Sequence, residues 1–197
     1  MLIDGHSLTY RAFFALPSDM ATTSGQVTNA VFGFTSMLIN LLRDHQPDNL
    51  AVAFDLPEPT FRHTTYDGYK AGRKETPDIL RQQLGIVREL VEALAIPIVE
   101  QPGLEADDVI ATLATKARDS GDDVIVVTGD RDAYQLVEDP HVKVLYNKRG
   151  VSDYAFYDEA GILERTGKAL ELRLAAARRN MERATIGVSW QDHRTNE

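Results

Sequence analysis

The chain has 197 residues, a formal net charge of −9, 43% hydrophobic and 26% charged residues, and no cysteine. That length fits one domain with a small appendage and allows a sizeable core, and the missing thiols exclude disulfides, zinc–thiolate sites and cysteine nucleophiles. No apolar run approaches a membrane span and the first residues lack a signal-peptide layout, so a cytoplasmic protein with no membrane partner is expected. The acidity does not exclude nucleic acid, because carboxylates that hold divalent cations present positive charge to a phosphate once loaded.

Residues 1–4 (MLID) read as a short strand, and residues 7–15 as a helix. Residues 27–43 carry apolar positions at helical spacing and predict a long, mostly buried helix. Residues 49–54 (NLAVAF) are a buried strand that ends at Asp55. From 56 to 77, Pro57, Pro59, Gly68, Gly72 and Pro77 punctuate a polar stretch that reads as an excursion from the core. Helix resumes over 78–94, followed by a strand at 96–99, a helix at 105–119, and strands at 123–127 and 142–146. Strands alternating with helices predict a mainly parallel sheet covered on both faces. Beyond Gly167, residues 168–183 are rich in Ala, Leu and Arg and favour helix, while the last residues are polar and unpatterned. The expected organisation is one α/β domain over 1–167, with its excursion at about 56–77, and a divergent helical tail over 168–197.

The informative residues are acidic ones placed just after apolar strands: Asp4, Asp55, and Asp130 with Asp132. In an open parallel sheet ligands bind outside the carboxyl ends of the strands, so three strands would deliver carboxylates to one edge. Glu105, Asp107 and Asp108 open the helix that follows the 96–99 strand, and the spacing of Glu105 and Asp108 predicts that they share a helical face. Carboxylates crowded in this way repel one another unless cations are bound, and hard oxygen donors suit Mg²⁺ or Mn²⁺. A pair of such ions about 3.5–4 Å apart activates water and stabilises the leaving oxygen of a phosphodiester. Taken singly, each residue has a plainer reading: Asp4 or Asp55 as a turn or cap, and the acidic helix start as a partner of the helix dipole.

The excursion adds Arg62, Lys70, Arg73 and Lys74 to an otherwise acidic chain, with Tyr66 and Tyr69 interleaved. Such cations can stabilise charge on a phosphate, and tyrosines can stack on unpaired bases. The alternative is a solvated loop with scattered charge. Arg11 is open between a phosphate contact and an ion pair, and His6 reads as a packing residue.

In order along the chain, Asp4-Gly-His-Ser with Tyr10-Arg11, Ala53-Phe54-Asp55, Tyr69-Lys70-x-x-Arg73, Glu105-Ala-Asp-Asp108 and Thr128-Gly-Asp-Arg-Asp132 resemble the 5′-nuclease, or flap endonuclease-like, family. The likeness is to the 5′–3′ exonuclease domain of bacterial DNA polymerase I. It implies a PIN-like α/β fold, a mainly parallel central sheet flanked by helices, with a helical arch over the excursion. It further implies metal-dependent cleavage near the 5′ ends, flaps or nicks of DNA, with two Mg²⁺ or Mn²⁺ ions. Asp4, Asp55, Glu105, Asp107, Asp108, Asp130 and Asp132 would be the ligands, and Lys70, Arg73 and Arg11 would act on the scissile phosphate. RNA is an alternative substrate, because the choice of sugar depends on 2′-OH contacts. The family pattern continues with Gly-Asp-x-Ser-Asp-Asn and a helix–three-turn–helix that grips duplex DNA; neither occurs in this chain. Weakened cleavage is therefore expected, with a non-catalytic DNA- or partner-binding remnant as the alternative. The abrupt start of the first strand leads us to expect a start codon upstream of Met1.

Overall fold

The computed structural model describes residues 1–66, 68–70, 72 and 75–167. Its strands are β1 (Leu2–Asp4), β2 (Ala51–Ala53), β3 (Ile98–Val99), β4 (Val124–Thr128), β5 (Val142–Arg149) and β6 (Asp153–Tyr157). They form one six-stranded sheet in the order β3-β2-β1-β4-β5-β6. All neighbouring pairs from β3 across to β5 are parallel, and β6 runs antiparallel to β5. The helices are α1 (Gly5–Ala15), α2 (Asn29–His45), α3 (Phe61–Thr65), α4 (Asp78–Ala93), α5 (Ala106–Asp119) and α6 (Glu159–Thr166), with a 3₁₀ turn at Arg131–Leu136.

Side chains alternate across a strand, so each buried strand feeds two cores. Ile3, Val52, Val127 and Leu145 point to one face, where they meet Leu8 of α1, Phe34 and Met37 of α2, and Val87 and Val91 of α4. Ala53, Val126, Val144 and Tyr146 point to the other, against Ala106 and Ile110 of α5 and Ile162 of α6. Burial on both faces is why these strands read as continuous apolar runs rather than alternating ones. The expected mainly parallel sheet flanked by helices is the observed architecture.

The edge that closes the sheet was not anticipated. β6 and α6 follow β5, and α6 ends on Gly167, whose φ of 65° lies in the left-handed region that favours glycine. Within the excursion, the described residues contain one short helix, α3. The expected tail helix over 168–183 and the residues Arg73 and Lys74 lie outside the described residues. Among the described residues no helix is long and apolar enough to cross a membrane.

One buried polar cluster ties the helices on the first face together. Gln83 of α4 is 1% exposed. Its Oε1 accepts from the backbone N–H groups of Ala30 and Val31 at 2.7 and 3.3 Å, at the start of α2 where intrahelical acceptors are missing. Its Nε2 donates to Asn29 Oδ1 at 3.0 Å, and Asn29 Nδ2 donates to the carbonyls of Phe13 and Leu16 at the end of α1. Replacing Gln83 by Ala strands these buried groups and should destabilise the domain by about 2–4 kcal/mol. Urea unfolding reads this as a lower midpoint at unchanged slope; a midpoint within error of the parent would show that the cluster is dispensable.

Candidate active site

The chain passes from β1 to β2 and β3 on one side, then crosses to β4 and β5 on the other. That reversal opens a crevice at the carboxyl ends of the strands beside β1. In register, Asp4 pairs with Ala53 and Ile3 pairs with Val127. Asp4 therefore stands at the centre of this edge, with Asp55 just past β2 and Asp130 just past β4.

Hydrogen bonds hold these groups in place. Asp4 caps α1, its Oδ1 accepting from Ser7 N at 2.9 Å, while its Oδ2 accepts from Thr128 Oγ1 at 2.8 Å. Thr128 Oγ1 in turn accepts from Asp130 N at 3.0 Å, and Ser7 Oγ accepts from Gly129 N at 2.9 Å. Arg11 packs so closely over this loop that a Cβ at Gly129 would lie 2.5 Å from its Nε. Its Nη2 donates to Gly129 O at 2.7 Å and to the Tyr146 hydroxyl at 3.1 Å. Arg11 thus clamps the loop that carries Asp130. Asp55 Oδ1 accepts from Ala106 N at 2.7 Å and so fixes the start of α5, and Asp130 Oδ1 accepts from Asp132 N at 2.9 Å.

An open cleft of about 1160 Å³ gathers Asp4, Asp55, Glu105, Asp107, Asp130 and Asp132 along its lining, together with Arg11, Tyr69 and Lys70. Burial pushes Asp4 up to about 6 against the hydrogen bonds from Ser7 and Thr128, and the charges of Asp55 and Asp130 push the same way. Asp107 rises to about 7, first by desolvation between the cleft walls and then by the neighbouring charge of Asp108. Asp107 remains open to cleft solvent, which tempers that shift. Both groups are raised chiefly because the protein removes them from water, and neighbouring carboxylates add to that.

Asp108 is not part of the cleft lining. Glu105 precedes α5 as its N-cap rather than sharing a helical face with Asp108, and Asp108 Oδ2 turns back to accept from Glu105 N at 3.0 Å. Arg62 grips Asp108 with both guanidinium nitrogens at 2.5 and 2.6 Å. Glu105 is held from the excursion instead: Lys70 Nζ lies 2.7 Å from Oε1, and the Tyr69 hydroxyl donates to Oε2 at 3.0 Å. Lys70 reaches it from a backbone with φ of 59°, a left-handed conformation uncommon outside glycine. Burial and Glu105 together push the Tyr69 hydroxyl well above its usual range. Tyr66 is exposed and stands outside the cleft lining. His6 Nδ1 accepts from Asp55 N at 3.1 Å, and its ring meets Phe54 edge-on at 5.7 Å. Sequence reasoning missed Ser7 and Thr128 as supports of the carboxylates, and also Lys148 and Arg149, which line the cleft from the end of β5, just before its turn into β6. The Asn-Lys-Arg-Gly run marks such a turn once β6 is recognised.

The donor set tests whether divalent cations fit. Every carboxylate on the lining offers hard oxygen, with no thiolate in the chain. Among the described residues no three carboxylates or histidines stand close enough to hold one ion in this conformation. The chemistry fits, and a cation would stabilise the charged forms of Asp4 and Asp107, which burial and then neighbouring carboxylates disfavour.

The bidentate pair separates two roles for Arg62. The side chains of Arg62 and Asp108 are each 15% exposed. Arg62→Ala leaves Asp108 desolvated without its partner and should cost about 2–4 kcal/mol. Adding Asp108→Asn should restore part of that loss in a double-mutant cycle. Additive losses would show that Arg62 does not act on the fold through Asp108.

The family model for the 5′–3′ exonuclease N-terminal resolvase-like domain matches residues 1–167. DNA polymerase I of Mycobacterium tuberculosis (strain ATCC 25618 / H37Rv) is 52% identical over 168 residues, covering 85% of this chain and 18% of that protein. The chain thus spans under a fifth of the length of such relatives. Among solved structures, the bacteriophage T5 D15 flap endonuclease in complex with DNA and metal ions superposes with a TM-score of 0.66 at 19% identity, covering 85% of this chain and 60% of that one. The catalytic core of Rad2 with DNA substrate gives a TM-score of 0.51 at 22% identity, covering 87% and 51%. Both likenesses are of fold.

Proposed function

The chain belongs to the family of 5′–3′ exonuclease N-terminal, resolvase-like domains, and from that premise we propose that it is a divalent-metal-dependent nuclease acting on DNA with 5′ ends, flaps or nicks. The observation that carries this reading is the convergence of Asp4, Asp55, Glu105, Asp107, Asp130 and Asp132 on one cleft at the switch point of the sheet. Asp4, Asp130 and Asp132 on the β1–β4 side, with Asp55, Glu105 and Asp107 on the α5 side, would hold Mg²⁺ or Mn²⁺. When bound, such a pair of ions supplies an activated water and charge neutralisation at the phosphodiester. Thr128, Ser7 and Arg11 keep the Asp4 and Asp130 carboxylates oriented. Lys70, which lines the cleft and pairs with Glu105, would meet the phosphate, and Tyr69 beside it offers a ring to an unpaired base. Arg73 and Lys74 extend the same cationic segment in sequence, and Asp108 supports the site indirectly by fixing Arg62 and the start of α5.

Within this chain no Gly-Asp-x-Ser-Asp-Asn follows residue 167. One ion position then lacks two of the family's carboxylates, which favours slow turnover. The T5 and Rad2 structures hold DNA, and that supports DNA as the substrate.

The test is a labelled 5′-flap duplex incubated with EDTA, Mg²⁺ or Mn²⁺. Slow, metal-dependent cleavage is expected, falling at least about 100-fold in Asp130→Ala, on the scale of losing a charge-stabilising group at a phosphoryl centre. Cleavage that persists in EDTA would overturn the metal assignment. No cleavage of flap, nicked or single-stranded DNA with either ion would leave a non-catalytic binding domain as the correct reading.

A further inference from the structure

Phe14, near the carboxyl end of α1, is 71% exposed, the highest value among the exposed large hydrophobics of the described residues. An exposed phenyl ring has no hydration benefit, yet this one lines the acidic cleft rather than a remote surface. Its ring is oriented by Phe13, which meets it edge-on at 5.1 Å, and the Tyr10 ring lies 6.4 Å away. Tyr10 also lines the cleft and is tied through its hydroxyl to Thr76.

The same rim carries cations from a different element. Lys148, Arg149 and Gly150 reach the cleft at the end of β5 and its turn into β6. The turn is anchored beside α1, because a Cβ built on Gly33 of α2 would lie 2.6 Å from Ala12 Cβ, 2.9 Å from Leu16 Cδ1 and 3.2 Å from Val151 Cγ1. Val151 therefore packs where α1 and α2 meet, and it holds the two preceding cations next to the helix that presents Phe14. Lys148 keeps a long 3.7 Å pairing with Asp153 and is 45% exposed, so its charge remains available to a ligand. These cations line the same cleft as the carboxylates, in a protein whose net charge is −9. A flat apolar ring flanked by Lys and Arg is the combination that holds an unpaired base together with its phosphates.

We propose that Phe14, Lys148 and Arg149 form a single-strand subsite, in which an unpaired nucleotide stacks on Phe14 while neighbouring phosphates pair with the two cations. The subsite rests on the reading of the cleft as a DNA site, and it deepens that reading by assigning the strand that leaves the carboxylates on the hairpin side. Paired bases have no free face to offer Phe14, so the subsite discriminates unpaired from duplex DNA.

The experiment measures binding without turnover, by anisotropy in Ca²⁺, for a duplex with a 12-nucleotide 5′ overhang and for the same duplex with blunt ends. A second readout is the fluorescence of 2-aminopurine placed in the overhang. Phe14→Ala should weaken overhang binding about tenfold, leave the blunt duplex within about twofold, and abolish the 2-aminopurine change, whereas Phe14→Trp should restore both. Lys148→Ala with Arg149→Ala should weaken overhang binding and lower its salt dependence by about one to two units of slope. Equal effects of Phe14→Ala on overhang and blunt duplex, unaltered binding in all variants, or no overhang binding by the parent would each overturn the proposal. A chain that fails to cleave but shows Phe14-dependent overhang binding would refute the nuclease reading alone. A chain that cleaves with Phe14-independent binding would refute the subsite alone.

Discussion

The burial of a carboxylate at the carboxyl end of β1, with two more beside it, is the constraint around which the rest is arranged. Asp4 cannot leave that position, because it is both the last residue of a buried central strand and the N-cap of α1. Asp55 and Asp130 are brought to it by the parallel register of β2 and β4. The protein relieves the resulting field only in part. Two hydrogen bonds from Ser7 and Thr128 do not bring Asp4 back to the usual carboxylate range, since burial and the two neighbouring aspartates outweigh them. A domain that keeps such a cluster accessible to solvent holds electrostatic energy that a bound cation can release.

The excursion answers the same field from outside. Arg62 neutralises Asp108, and Lys70 with Tyr69 occupies both oxygens of Glu105. These contacts set Arg62, Tyr69 and Lys70 against the start of α5. They also divide the acidic start of α5 by role. Asp108 is committed to the capping box and to Arg62, whereas Asp107 lines the cleft and is raised to about 7 by desolvation and then by Asp108.

Much of this was legible before any coordinates. Short apolar runs ending in aspartate located β1, β2 and β4, because strands buried on both faces carry little polar alternation and their carboxyl ends face the ligand edge. The family resemblance then ordered these residues into a site. What stayed hidden depended on local phase and on packing. Spacing placed Glu105 and Asp108 on one helical face, but Glu105 sits before the first turn and the capping box reverses Asp108 toward the backbone. Arg62 and Arg11 were legible as cations, whereas their protein partners, Asp108 and Gly129 O, are distant in sequence and had no sequence signal. β6 escaped because Asp153–Tyr157 is a half-exposed edge strand whose polar and aromatic residues mimic a loop.

Whether the strand-end carboxylates hold divalent cations is read without reference to turnover by direct Mn²⁺ titration followed by electron paramagnetic resonance. Loss of the free-ion signal should saturate, reverse on addition of excess Mg²⁺, and weaken at least about tenfold, worth about 1.4 kcal/mol, when Asp4 and Asp130 are both replaced by Asn. Free-ion signal unchanged by the protein up to millimolar Mn²⁺, or binding indifferent to that double substitution, would contradict it.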